Sequence, residues 1–371
     1  MTLMLAAPPA WARSQAQDMP APTSPAQTAA VPVSPAKPNE VRVLTPDFEG
    51  EDRLGSSVAG VLHLKLWRSL RTAPTPNPRK LNFGQGSIFG GPQLSDLQVE
   101  TADAAVRQMD GQMILWGRAS TYDGGVVVRS KLLAPDYAGA RAKRPEIWSI
   151  GYGKRVVTLG LPEQVFAFAP FVLRQEIVDR YGHAGDLPLC PTMSEVCPGA
   201  TPLGPNYHAI DHPNSKWSHV RTADERSGYV FLPELTADQI DVTDFTEGLI
   251  YYYRADYGRA AERFKTVQSA PSSPSQIRLD ATVLRLMSLA RSGADVTKDA
   301  AAALNEYPGS IEVRKAVAMA DLQLSAQARR RGKPLDRLSS ANAYVESARG
   351  VVTTTDHWVD EAAALLQTLK R

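Results

Sequence analysis

Hydrophobic and polar positions change period several times along this 371-residue chain, and each change marks an element. From Arg13 to Glu40 almost no large apolar side chain occurs. Val41-Arg42-Val43-Leu44 then reads as a first strand, followed by a turn at Pro46 and Gly50. Val58, Val61, Leu62, Leu66 and Leu70 fall on one helical stripe, which Pro74, Pro76 and Pro78 end. Leu97 to Met109 is a second helix, and Gln112 to Ala119 a buried-type strand. Asp123-Gly124-Gly125 turns that strand into Val126 to Leu133, because Asp-Gly between apolar runs supplies the backbone freedom of a tight hairpin. Between Tyr207 and Leu235 the period is two: Trp217, His219-Val220, Gly228 and Tyr229-Val230 flank the polar run Thr222 to Ser227, which predicts a hairpin. Val165 to Leu173 and Asp186 to Leu189 are the candidates for strands that precede it. After Leu235 the period becomes helical to the end of the chain.

Three resemblances organise these elements. The strand, helix, helix, strand, strand order with the I-L-W-G-R and V-V-V-R-S-K-L-L runs resembles the amino-terminal domain of TolB and its relatives in curli secretion proteins. That resemblance implies a small α/β sandwich that assembles in the bacterial envelope. A Trp, then V-R, a polar turn, G-Y-V and a closing L-P-E-L resemble the second half of a bacterial SH3-like domain, which implies a small β-barrel. Phe245, Gly248, Tyr251, Tyr252, Ala255, Tyr257, Ala260, Phe264 and Val267 follow the tetratricopeptide template, with Gly248 and Ala260 where two helices must approach closely. A second unit runs from Gln276 to Pro308, and Ile311 to Ala328, Leu338 to Ala348 and Asp356 to Leu369 continue as helices.

The expected fold class is therefore multi-domain α+β: an α/β sandwich over residues 40–145, an SH3-like barrel over 146–235 and a tetratricopeptide-like solenoid over 236–371. Residues 1–12 resemble part of a signal peptide, with the apolar run Leu3 to Ala7 and small residues at Ala10 and Ala12. No basic residue precedes the run, so the natural start is expected upstream. Residues 13–39, with Pro20, Pro22, Pro25, Pro32, Pro35 and Pro38, read as a disordered, semi-rigid tether, since they bury too little to offset the entropy of ordering.

Charge narrows the function classes. Lys and Arg number 41 against 39 Asp and Glu, a net +2 that makes no electrostatic case for nucleic acid. Arg329-Arg330-Arg331-Gly332-Lys333 is the one compact basic run and reads as a solvated helix end. No apolar run after the terminus reaches the ~20 residues of a membrane span. Gly84 to Gly91 and Gly151-Tyr152-Gly153-Lys154 are glycine-rich, but no Lys followed by Ser or Thr and no helix follows either one, so both read as turns rather than phosphate loops.

Candidate chemistry is sparse. Cys190 and Cys197, the only cysteines, are most simply one disulfide in an exported protein. His208 and His212 lie four apart but Pro213 and Asn214 break a helix there, so no metal site is expected. Cys190 with His208 or His183 lacks a catalytic signature, and no Ser stands in a nucleophile elbow. No catalytic residue and no cofactor are expected. Tyr207, Trp217 and Tyr229 are the expected ligand-binding residues, with Trp217 partly exposed at the head of its strand and Val220 and Val230 in the core. Together these features predict a periplasmic or secreted, non-enzymatic scaffold of the cell envelope. Its expected partners are envelope proteins at the helices and peptidoglycan, another glycan or a peptide at the barrel. The rival expectations are an envelope enzyme such as a peptidoglycan amidase, targeted by the barrel, and a cytoplasmic regulatory scaffold.

Overall fold

The computed structural model describes residues 40–51, 53–71, 80–83, 99–108, 113–134, 146–160, 165–181, 187–203, 207–214, 216–222, 224–232, 241–349 and 357–371. The expected signal segment, the tether and the Gly84 to Gly91 run lie outside these residues. The described residues belong to one compact unit of mixed α and β structure.

The amino-terminal elements are β1 (Glu40–Leu44), α1 (Leu54–Arg71), β2 (Lys80–Phe83), α2 (Val99–Gln108), β3 (Met113–Tyr122) and β4 (Gly125–Leu133). β1 lies between β2 and β3 and pairs in parallel with both, and β3 turns into antiparallel β4. At that turn Asp123 and Gly124 both have positive φ, 30° and 75°, as the Asp-Gly pair leads one to expect. β2, which the sequence reading lacks, comes from the proline-rich segment between the two helices. Alternation sorts the sheet's two faces. Val41, Val43, Met113 and Leu115 share a core with Val58, Val61, Leu62 and Leu66 of α1, while Leu44, Ile114, Trp116 and Leu133 pack with Ala102 and Val106 of α2.

β5 (Glu146–Tyr152) and β6 (Arg155–Gly160) form a separate hairpin. β7 (Val165–Ala167), β8 (Phe171–Arg174) and α3 (Gln175–Tyr181) follow. This region corrects the expectation that Val165 to Leu173 opens a barrel. β7 and β8 both join the free edge of β4, in registers Leu132↔Phe166 and Val127↔Val172, and make the main sheet six-stranded. Pro170, which has no N–H to donate, separates the two short strands. The remaining strands are β9 (Pro188–Leu189), β10 (Thr201–Pro202), β11 (Tyr207–Asn214), β12 (Trp217–Thr222) and β13 (Ser227–Phe231). They make a two-stranded and a three-stranded sheet, and no barrel closes among the described residues. With β7 and β8 taken up by β4, too few strands are left here to close one.

Among the described residues seven helices follow: α4 (Asp241–Tyr253), α5 (Tyr257–Ser269), α6 (Ser275–Ser292), α7 (Thr297–Glu306), α8 (Ile311–Arg330), α9 (Leu338–Arg349) and α10 (Trp358–Lys370). Two of them carry a side-chain cap: Asp256 accepts from the Arg259 N–H at the start of α5, and Ser310 from the Val313 N–H at the start of α8. Gly248 has the reason the sequence suggests, since a Cβ there would stand 2.6 Å from the Phe264 ring. Helices α4, α5, α6, α8, α9 and α10 stack in that order, with α7 only lightly packed beside α6 and α8, and α8 and α10 close over the β5–β6 hairpin. Phe245 of α4 is wholly buried between Phe166, at 4.7 Å between ring centroids, Phe168 at 5.6 Å and Phe264 at 5.6 Å. One apolar core thus runs from the main sheet into the helices. Beside it Arg263 of α5 pairs with Asp244 at 3.1 Å and with Glu247, which is 2% exposed, at 2.9 Å. Burial, opposed by Arg263 and Lys65, holds the Asp244 carboxyl above its ordinary range. Among the described residues no helix is long and apolar enough to cross a membrane.

Candidate functional site

The three-stranded sheet is built so that one face is fixed and the other is offered. Along β12 and β13, Val220 and Val230 point inward, with Leu187, Leu189, Leu203 and Leu232, against Leu64 and Trp67 on the outer side of α1. Tyr207 at the start of β11 belongs to this inner face. Its ring stacks on Trp67, 5.2 Å between centroids at 19°, and its hydroxyl lies 3.0 Å from Nε2 of His63. Burial pushes the Tyr207 phenol up and pulls the His63 imidazole down to about 3. Arg68 donates to the Leu232 carbonyl at 2.5 Å and pins the end of β13 to the same helix.

The disulfide loop closes the outer edge. Cys190 and Cys197 stand at bonding distance, 2.01 Å between sulfurs. Cys190 exchanges both backbone hydrogen bonds with Tyr229, at 2.8 and 2.7 Å. Gly228 permits this approach, because a Cβ there would meet the Cys190 carbonyl oxygen at 2.7 Å. Gly228 is not among the glycines with positive φ, so close approach rather than backbone freedom is what the site needs from it. Reducing the bond is expected to cost about 2 kcal/mol for so short a loop; urea melts with and without reductant read the difference.

The opposite face is set by register. Trp217 pairs with Phe231, His219 with Tyr229 and Arg221 with Ser227, while Asp211 pairs with His219 across the other ladder. Cross-strand neighbours on one face therefore carry Asp211, His219 and Tyr229 in one row. The His219 ring lies flat on Tyr229, 4.9 Å between centroids at 22°. His219 Nε2 is 2.9 Å from Ser227 Oγ, and Nδ1 is 3.5 Å from Asp211 Oδ2. Ser227 also donates to the Val220 carbonyl at 3.4 Å. The Tyr229 N–H is taken by Cys190. The hydrogen bonds at both ring nitrogens hold the imidazole against Tyr229 and leave a flat aromatic surface rimmed by a carboxylate and a hydroxyl.

Of the three residues expected to bind a ligand, Tyr229 lies on this offered face, half-buried, and Tyr207 lies on the fixed one. Trp217 corrects its expectation: it is 5% exposed and tilted against Phe231 at 5.1 Å. Asn214 accepts from the N–H groups of Lys216 and Trp217, and this side-chain-capped turn starts the strand with the indole already paired to its neighbour. Trp217→Ala therefore tests stability rather than contact. Sequence reasoning missed Asp211, His219 and Ser227 as a group; only the register brings them together, and the period-two pattern was their one signal. His208 and His212 lie on a strand, where positions four apart are ~13 Å from each other. Among the described residues no three His, Cys, Asp or Glu are grouped to hold a metal ion. A scan against protein-family models and searches of curated proteins and of solved structures find no match to the chain.

Proposed function

We propose that the protein is a non-enzymatic cell-envelope adaptor, exported to the periplasm, whose three-stranded sheet is an SH3-like module and whose helices α4 to α9 are tetratricopeptide-like pairs. Partner proteins dock on the helices, and a peptide or a glycan lies across the sheet. The observation that carries this reading is the His219–Tyr229 platform, an aromatic surface of the kind that stacks on sugar rings and planar peptide groups. Its reverse side is fixed to α1, so the platform is rigid before anything binds. The close approach of α4 and α5 at Gly248 and Phe264 supports the helical assignment. The apolar run Leu3 to Ala7 and the cysteine pair support export.

Co-sedimentation of the purified full chain with peptidoglycan sacculi, beside capture of envelope proteins by the immobilised chain, tests the reading. Tyr229→Ala is expected to weaken whichever binding is found at least tenfold, while lowering stability by about 1 kcal/mol or less, as for a half-buried cross-strand pair. Binding to neither class, or binding untouched by Tyr229→Ala, removes the platform from the function. Fractionation that finds the protein in the cytoplasm removes the envelope.

One observation favours the rival reading as an envelope enzyme: Asp211, His219 and Ser227 form a hydrogen-bonded line of acid, imidazole and hydroxyl. A serine-reactive fluorophosphonate probe discriminates. Labelling that Ser227→Ala abolishes would replace the adaptor with a hydrolase; an unlabelled wild type leaves the line as the support of His219.

A further inference from the structure

A second site lies far along the chain from the platform, where the β5–β6 hairpin meets the helices. A cleft of about 190 Å³ opens there between Ser149 and Gly151 of β5, Tyr257 of α5, Arg291 of α6, and Gln323 and Arg330 of α8. Two features that look unrelated in the sequence, the basic run at Arg329 to Lys333 and the glycine-rich turn after Gly151, come together in it. Arg330 donates to the Gly151 carbonyl at 2.5 Å and leaves the rest of its guanidinium at the rim.

The cleft carries cationic charge without a matching acid. Arg291 is clamped between two phenol rings, its guanidinium carbon 5.4 Å from the Tyr252 centroid and 5.5 Å from that of Tyr257. It donates to the Tyr257 hydroxyl at 2.9 Å, and its buried Nε has no hydrogen-bond partner. Neither Arg291 nor Arg330 is in an ion pair with a carboxylate among the described residues, and no Asp or Glu lines the cleft. Arg285 of α6, by contrast, meets Asp299. Each of the two stands in the last turn of its helix, where the carbonyl end offsets only about half a unit charge. A half-buried guanidinium held this way lacks the counter-charge that burial normally demands.

We propose that this cleft binds a small phosphate monoester, with Arg291 and Arg330 on its oxyanion and Ser149, Tyr257 and Gln323 as neutral hydrogen-bonding partners. Polar lining residues come from three sides, the strand, where the Ser149 hydroxyl also bonds that of Thr158 at 3.1 Å, the α5–α6 pair and α8, which suits the three terminal oxygens of a tetrahedral phosphoryl group better than the two of a carboxylate. Guanidinium groups match phosphate with paired N–H bonds, and a phosphomonoester carries about −1.5 to −2 charge at neutral pH. The volume is below the ~300 Å³ of an ordinary small-molecule pocket, so the ligand is the phosphoryl group with a few carbon atoms rather than a nucleotide. This site does not depend on the adaptor reading.

Thermal melts and calorimetric titration of the full chain test it, using inorganic phosphate, glycerol 3-phosphate, succinate and acetate, each against sodium chloride of equal ionic strength. The expected result is a saturable rise in Tm with glycerol 3-phosphate and with phosphate, and none with the carboxylates. Arg330→Gln, at an exposed position, and Arg291→Gln are each expected to weaken binding ~10-fold or more, the worth of a charge-assisted hydrogen bond. Three results overturn the proposal: no saturable shift beyond sodium chloride, an equal response to succinate, or affinity unchanged in a folded Arg330→Gln protein.

Discussion

Acidification from pH 6.5 to about pH 3 is expected to cost the protein on the order of 4 kcal/mol through His63 alone. The imidazole is 2% exposed, against the Trp67 ring and the Tyr207 hydroxyl, and burial lowers its folded-state pKa from 6.5 to about 3. Above pH 6.5 neither state carries the proton, and the group is neutral to stability. Below it the unfolded chain binds a proton that the folded one refuses, so stability falls as pH falls, and the loss levels off once the pH passes below the folded value. Carboxylates titrate over part of the same range, so the measurement is a difference. Urea melts of wild type and His63→Phe at pH 7, 5 and 3.5 should diverge, with the wild type losing more. Parallel pH dependence in the two proteins would mean that the imidazole is solvated and that the sheet is not seated on α1 through this contact.

Phe245→Ala is the second large effect. Removing a ring that is wholly buried between Phe166, Phe168 and Phe264 is expected to cost about 3–5 kcal/mol, the lost transfer energy plus the cavity left in a core that cannot collapse from three sides. The ring touches both the six-stranded sheet and the next helix, so the change should lower the transitions of helical circular dichroism and tryptophan fluorescence together. A shift in the helical signal alone would show that the helices unfold as a unit separate from the sheet, as the change of period after Leu235 invites one to expect.

What the sequence determined by itself is local. The Asp123-Gly124 turn follows from the φ values those two residues tolerate, the stripe Val58, Val61, Leu62, Leu66 from the period of one helix, and the seating of Gly248 under Phe264 from a template that repeats over a few turns. The Cys190–Cys197 pair was legible for the same reason, since short spacing keeps both ends of the loop close. The tertiary structure alone decided everything that depends on which edge or face a segment meets. Val165 to Leu173 has strand character either way, and only the open edge of β4 made it part of the main sheet rather than of a barrel. Tyr207 and Tyr229 look alike as aromatic residues on strands, yet register turned one toward Trp67 and left the other beneath His219. Arg330 and Gly151 lie 179 positions apart, and no pattern within either segment encodes the other. Side-chain period reports how a segment divides its surface between two sides; which partner covers each side is settled by the packing of elements distant in the chain.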